Sequence, residues 1–483
     1  MVHTSTTRAG ARSLSLGTAL LLLFGRAALA GEPAVAGVGP APLDDPVLAG
    51  LVKEALEKRP ELAQARATIR ADLARAPQVR ALPDPVLTLG IQNDGFRRLQ
   101  IGEMETSYLT VMASQTFPWY GKRELRGDVI TLGVHQAESD LQRAWLSIRA
   151  EVERAYLDLL LGRAQLQLLT KLDALWTQAQ GLARARYESA DGAQSDILRA
   201  QLERSRLRQR RWALEAENRR RLAVLNRMRG QPFRAPIATS QSLVDLPDPT
   251  PPSKTAAFEE AEAQSPELKR SRLAVKQSAT LVKLAQKDYF PDLTVTAGVM
   301  PRWGKFEPMW QAGLAFSLPI WGGSKQARAV AENRLREAAA AHGAEATRQL
   351  LRQRVMERLT LTEALIDTNR LYRSGLLVQS EATVSSTMAQ YRVGRVTFAS
   401  VLEALVGYVT DLNAFYESIA AIQRVEIARR EVSLDAPVGP VASGMSGSSV
   451  PGAGVMGGNA SAGPGAPSLQ PAGATGATSM PRM

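Results

Sequence analysis

Residues 59–228 and 265–432 are built on one plan used twice. Each copy opens on a Pro-Glu-Leu helix start, Pro60-Glu61-Leu62 and Pro266-Glu267-Leu268. Each then reaches a strand punctuated by Pro-Asp, in Leu82-Pro83-Asp84-Pro85 and Phe290-Pro291-Asp292. A second strand closes on Phe117-Pro118-Trp119-Tyr120-Gly121 or its near match Leu318-Pro319-Ile320-Trp321-Gly322. A very long helical stretch leads to a turn beside Tyr187 or Tyr391, and a return helix starts at Ile197-Leu198 or Val401-Leu402. Corresponding positions lie 206, 208, 201 and 204 residues apart, so the copies differ by small insertions. Such a repeat is one supersecondary unit used twice.

Two strands per copy make four per chain, and four strands cannot close a barrel, since the smallest closed membrane barrels need about eight. Open strand edges are not viable in lipid, so other chains must satisfy them. The strands themselves read as barrel wall. Leu87, Leu89 and Ile91 alternate with Thr88 and Gly90. Leu293, Val295, Ala297 and Val299 alternate with Thr294, Thr296 and Gly298. In the fourth strand Trp310, Ala312, Leu314, Phe316 and Leu318 oppose Gln311, Gly313, Ala315 and Ser317. Period-two alternation places one set on each face. An apolar outside with a polar or small inside is the membrane-barrel pattern, and an amphipathic hairpin on a soluble core shares it. Trp119, Tyr120, Trp310 and Trp321 near the strand ends favour the membrane, because aromatic rings collect at the water–lipid boundary.

The helices are too long for a compact domain. From Gly121 to Tyr187 there is no proline, and at about 1.5 Å per residue the run extends roughly 100 Å. Leu141, Trp145, Ile148, Val152, Ala155, Leu159, Gly162, Leu166 and Leu169 recur in steps of four and three. Val401, Leu405, Tyr408, Leu412, Phe415, Ile419 and Ile422 do the same, which is a coiled-coil seam. A plain coiled coil leaves the embedded strand pairs unexplained.

At the N-terminus Arg8 and Arg12 precede the apolar run 14–24, and Ala28-Leu29-Ala30 supplies a small-residue cleavage site. Residues 1–30 therefore read as a secretory signal peptide. No other stretch carries eighteen consecutive apolar residues. Export, barrel-like strands and no spanning helix point to a bacterial outer membrane. Cysteine is absent, which excludes disulfides, thiolate metal sites and a cysteine nucleophile. The net charge of +12 comes from Lys and Arg spread along helices among Glu, Gln and Ala, so a solvated face is expected rather than a nucleic-acid surface. The Arg219–Arg221, Arg227 and Arg229 cluster ends a helix, where cations suit the dipole. Between the repeats (45–229 and 258–432) lies a Pro-rich linker, 230–257. The tail, 436–483, is rich in Gly, Ala, Ser and Pro and reads as disordered. Its G-x-G-x-x-G match at 452–457 has no flanking strand or helix, so no dinucleotide site is expected. Its methionines, Met445, Met456, Met480 and Met483, suit soft metals chemically, but compositional drift accounts for them. His3, His135 and His342 lack metal-ligand spacing, and acids such as Asp44-Asp45 and Glu259-Glu260 read as solvated or helix-start residues. Neither a cofactor nor an enzyme activity is expected.

The doubled helix–strand–strand–helix–helix unit, the Pro-Glu-Leu openings and the turn Tyr391-Arg392-Val393-Gly394 before Val401-Leu402 resemble the TolC superfamily of outer-membrane efflux factors over residues 45–432. Leu82-Pro83-Asp84-Pro85, Gly102-Glu103-Met104 and the segment Gln115 to Arg123 are similar to the branch paired with copper and cobalt–zinc–cadmium pumps. The resemblance implies a mainly α fold with a small β portion. Long coiled-coil helices form an α-barrel tube, and four strands per chain contribute to a twelve-stranded barrel in a homotrimer. It also implies a passive conduit, with a periplasmic adaptor and an inner-membrane resistance-nodulation-division pump as partners and outer-membrane lipid around the barrel. In that family an aspartate in the first tip is held by a tyrosine and an arginine in the second. Asp196 and Tyr391 match the first two. Val396 stands at the arginine position, with Arg395 and Arg392 nearby, and Ala190 replaces the glycine retained as Gly394. Asp196, Tyr391, Arg395 and Arg392 are thus gate candidates, with helix capping the alternative role for Asp196. Tyr187, Asp191, Gly192 and Gly394 are the expected adaptor contacts. A periplasmic coiled-coil adaptor is the competing reading, although adaptors set one helical hairpin among β-rich domains. A conduit for drugs or other solutes would carry the same residues.

Overall fold

The computed structural model describes residues 45–239 and 241–436. The segment read as a signal peptide and tail residues 437–483 lie outside these. The first repeat runs α1 (Pro46–Lys58), α2 (Pro60–Arg80), β1 (Val86–Gln92), β2 (Tyr108–Phe117), α3 (Lys122–Glu188) and α4 (Gln194–Met228). The second runs α5 (Lys254–Gln264), α6 (Pro266–Lys287), β3 (Leu293–Met300), β4 (Met309–Phe316), α7 (Gln326–Leu371), α8 (Leu377–Arg392) and α9 (Phe398–Glu431). The strands are seven, ten, eight and eight residues long, and β4 stops before Leu318.

The Pro-Glu-Leu motifs start helices because proline at N1 presets φ and has no N–H to leave unpaired. Ser265 caps α6, its Oγ accepting from the Leu268 amide at 3.2 Å. A short helix precedes each motif, α1 and α5, which the repeat pattern did not separate. Asp45 caps α1 by accepting from the Val47 amide at 2.8 Å, and its other oxygen takes the buried Tyr156 hydroxyl. It is a buried helix-start acid, not a solvated one. Helix α5 begins at Lys254, inside the stretch read as linker, with Ser253 as its cap. The rest of that connector is strapped down. Ile237, Leu243 and Leu246 are buried against the α3 core, and Arg163 Nη2 donates to the Ile237 carbonyl at 2.6 Å.

Helix α3 carries 67 residues, about 100 Å of rise. Of the heptad positions, Ile148, Val152, Leu159 and Gly162 on α3 and Val401, Leu405, Phe415, Ile419 and Ile422 on α9 are buried. The second long helix is not continuous. A π turn at Tyr372–Leu376 separates α7 from α8, one extra residue held by wide i→i+5 bonding. Near the far end of α9, Arg143 on α3 bonds Glu267 at 3.0 Å and Glu431 at 2.7 Å, tying α3, α6 and α9 together.

The four strands form one antiparallel sheet in the order β1-β2-β3-β4, so the repeats meet at the β2–β3 seam. The register aligns the alternation across every strand. Leu89 faces Val111, Val111 faces Val299, and Val299 faces Trp310. The same face carries Leu87, Ile91, Ala113, Phe117, Leu293, Val295, Ala297, Leu314 and Phe316, with Gln115 as its one polar residue. The opposite face carries Thr88, Gly90, Thr110, Ser114, Thr116, Thr294, Thr296, Gly298, Gln311 and Gly313. Leu87, Leu89, Ile91, Trp310 and Leu314 are exposed, so the apolar face has no core beneath it. Among the described residues, β1 and β4 are unpaired edges.

Candidate functional site

Two places carry features beyond packing: the helical tips, farthest along the chain from the sheet, and the junction where strands become helices. At the tips, α3–α4 and α8–α9 turn in the same way. The Ala190 amide donates to the Tyr187 carbonyl and the Asp191 amide to the Arg186 carbonyl; the Gly394 amide donates to Tyr391 and the Arg395 amide to Gln390. This double closure of a helix end needs a left-handed residue. Gly394 supplies it at φ 76°, and Ala190 adopts it at φ 62° despite its Cβ.

Tyr391 is 1 % exposed, and its hydroxyl donates to Asp196 Oδ2 at 3.0 Å, joining the second tip to the first. Its ring lies 5.3 Å from that of Phe398, within a cluster including Trp176, Ala183, Met388 and Leu405. Burial, and then the hydrogen bond to the Asp196 carboxylate, push its pKa up to about 12. Asp196 does not cap α4, because the helix starts two residues earlier with Ala193 as N-cap. It sits in the first turn instead, where a carboxylate suits the dipole and its side chain is free to reach Tyr391.

The cations around this site include Arg186, Arg392 and Arg395. Neither Arg392 nor Arg395 forms an ion pair with Asp196 within the chain; both are exposed. Arg186, on the first tip, contacts Tyr391 rather than Asp196. Its guanidinium stands 4.8 Å from the Tyr391 ring centroid, Nη1 donates to the Tyr391 carbonyl at 3.1 Å and Nη2 to the Asp191 carbonyl at 2.8 Å. Arg186 precedes Tyr187, yet nothing in its local sequence marks it, since the contact joins residues 205 apart. Gly192, Asp191, Arg199, Arg395 and Gly394 line an open cleft of about 390 Å³ beside the Tyr391–Asp196 bond. Tyr187 is half exposed next to it.

The junction is held by Asp292 of the second Pro-Asp motif. Its Oδ1 accepts from the Trp119 amide at 2.8 Å and from Lys122 Nζ at 2.9 Å. Lys122 also donates to the Phe290 carbonyl at 3.0 Å, and its side chain is only 5 % exposed. Trp119 stacks on Phe290 with centroids 5.2 Å apart. Trp119, Tyr120 and Trp321 lie at the helical end of the strands and Trp310 at the loop end, all exposed. An eight-residue strand spans about 26 Å along its own axis. Among the described residues no group of His, Cys, Asp and Glu is placed to hold a metal, and no helix is long and apolar enough to cross a membrane.

A doubled α/β unit with an unsupported apolar sheet on a helical shaft defines the class: a wall segment of an outer-membrane tube. The chain belongs to the outer membrane efflux protein family, which it matches over residues 51–231 and 257–429. No curated protein matches it. Solved structures share its fold. VceC from Vibrio cholerae is 18 % identical with a TM-score of 0.66, over 80 % of this chain and 96 % of that one. CusC is 16 % identical with a TM-score of 0.68, over 80 % and 92 %. The open-state MtrE channel of Neisseria gonorrhoeae is 15 % identical with a TM-score of 0.66, over 84 % and 94 %.

Proposed function

We propose that three copies of this chain close one barrel and form the outer-membrane conduit of a tripartite efflux system. An adaptor meets the tips, an inner-membrane pump supplies the energy, and heavy-metal cations are the cargo. The observation that carries the conduit is the sheet: four strands in common register, one apolar face with nothing to bury it and two open edges. Two copies would give eight strands, whose interior side chains fill; twelve leave a water-filled lumen.

The cargo reading rests on the segments resembling the heavy-metal branch and on the polar face of the sheet. Among its Thr, Ser, Gly and Gln residues stand Met112 opposite Gly298 and the directly opposed pair Met300 and Met309. Thioethers suit soft cations such as Cu(I) and are out of place as packing groups on a wetted wall. Expression in a host lacking its own outer-membrane efflux channels, together with the cognate pump and adaptor, tests this. Copper or silver tolerance should be restored and dye or detergent tolerance should not. Restoration of drug tolerance alone would overturn the cargo and leave the conduit standing.

The tips act as the entrance. Tyr391, Asp196 and Arg186 hold the two hairpins of a chain together, and the exposed Arg392 and Arg395 are available to a neighbouring copy. Tyr187, Asp191, Gly192 and Gly394 present the surface that an adaptor contacts.

A further inference from the structure

The sheet's internal symmetry specifies a contact that the single chain leaves unmade. Shifting β1 by 208 residues and β2 by 201 carries the pair Val86↔Ser114 onto Thr294↔Ala315, and that is the register of β3 and β4. The two hairpins are therefore superimposable residue by residue. The β2–β3 seam between them has an unmade image, in which β4 of one copy meets β1 of the next. Under the same shifts Ala113↔Ala297 becomes Leu314↔Leu89, Gln115↔Val295 becomes Phe316↔Leu87, and Val111↔Val299 becomes Ala312↔Ile91. These three image pairs are apolar and on the apolar face, and the pairs between them, such as Ala315↔Thr88, fall on the polar face.

The junction clamp has an image too. The Trp119–Phe290 stack maps to Ile320 and Leu82, large apolar side chains that are 75 % and 42 % exposed with no ring or core against them. Asp292 maps to Asp84, which is exposed and has no side-chain hydrogen-bond or ion-pair partner among the described residues. Lys122 maps to Gly323, but the second repeat delays its helix to Gln326 and places Lys325 at the N-cap, also exposed and unpaired. A partnered set in the β2–β3 seam thus recurs as an unpartnered set at the two open edges.

We infer that a second copy of this chain binds here with Leu314 opposite Leu89, Ile320 packed on Leu82, and Lys325 paired with Asp84 across the subunit boundary. This rests on the reading that copies of the chain close the barrel, and adds its register and its lock. Pairs directly opposite in an antiparallel ladder have Cα separations of about 4.5–5.5 Å, within disulfide reach, whereas a two-residue offset gives about 7–8 Å and is not.

The chain has no cysteine, so crosslinks can be placed at will. In outer membranes under mild oxidation, Leu89→Cys with Leu314→Cys should convert most of the chain to covalent oligomers on a heated denaturing gel. Leu87→Cys with Leu314→Cys should not. Ala113→Cys with Ala297→Cys, the intrachain image, reports that oxidation occurs. A crosslink at 113–297 without one at 89–314, or a stronger one at 87–314, overturns the register. Asp84→Lys should lower the temperature at which the oligomer dissociates, and adding Lys325→Asp should restore it. No drop, or a drop without restoration, overturns the lock. On unheated gels an intact oligomer with these failures sinks only this contact, whereas a monomer sinks the conduit reading itself.

Discussion

Tyr391 connects the two tips through one hydroxyl, and what that bond does follows from its chemistry. The phenol's pKa is raised above its ordinary value of 10.0 to about 12. A raised pKa means its contribution to folding is fully present below pH 10 and is lost as pH rises through about 12. The difference in tyrosinate absorbance between the parent chain and Tyr391→Phe should therefore titrate near 12, and a midpoint near 10 would mean the tyrosine is solvated. Losing the hydroxyl should cost about 1.5–3 kcal/mol of tip stability, the worth of a hydrogen bond to a carboxylate. If the bond also holds the entrance, Asp196→Ala should raise single-channel conductance in a planar bilayer; unchanged conductance would leave Asp196 a structural role only. Ala190 offers the opposite test. It adopts φ 62° with a Cβ, a conformation costing an L residue about 1 kcal/mol that glycine escapes. Ala190→Gly should slow amide exchange at the first tip, and faster exchange would show that the turn is set by something other than backbone strain.

At the scale of elements, legibility tracked how local the signal was. The strands and their faces could be read because alternation is a two-residue property, and the register kept the apolar set together over all four. The long helices could be read from their seams. The π turn at 372–376 could not, because one extra residue in a helix leaves the composition unchanged and shifts the seam by a fraction of a turn. Helices α1 and α5 were hidden because each abuts the next at a single residue, Arg59 or Ser265. The tip partnership was half legible. Asp196 and Tyr391 were found through the family resemblance and do bond each other, while Arg186 went unmarked because its contacts with Tyr391 form only when the hairpins pack. The second Pro-Asp motif and the start of α3 prove to be one device, since Asp292 and Lys122 bond each other at the strand–helix junction. Lys122→Met leaves the carboxylate without its charged donor in a partly buried site, a loss of about 2 kcal/mol or more. It should lower the oligomer's dissociation temperature on a gel. An unchanged temperature would mean the junction is held by the Trp119 stack and backbone alone.

For the whole molecule, the sheet sets the account. Its apolar face, its two bare edges and its helical shaft make sense only if other copies and a bilayer cover them. An adaptor would bury its strands in a β-rich domain; here the strands have no second layer. The most direct measurement is the protein mass of the detergent-extracted particle, detergent subtracted, by light scattering coupled to chromatography. Three chains per particle are predicted. A monodisperse monomer that keeps its sheet would contradict the claim that this chain is one third of a wall.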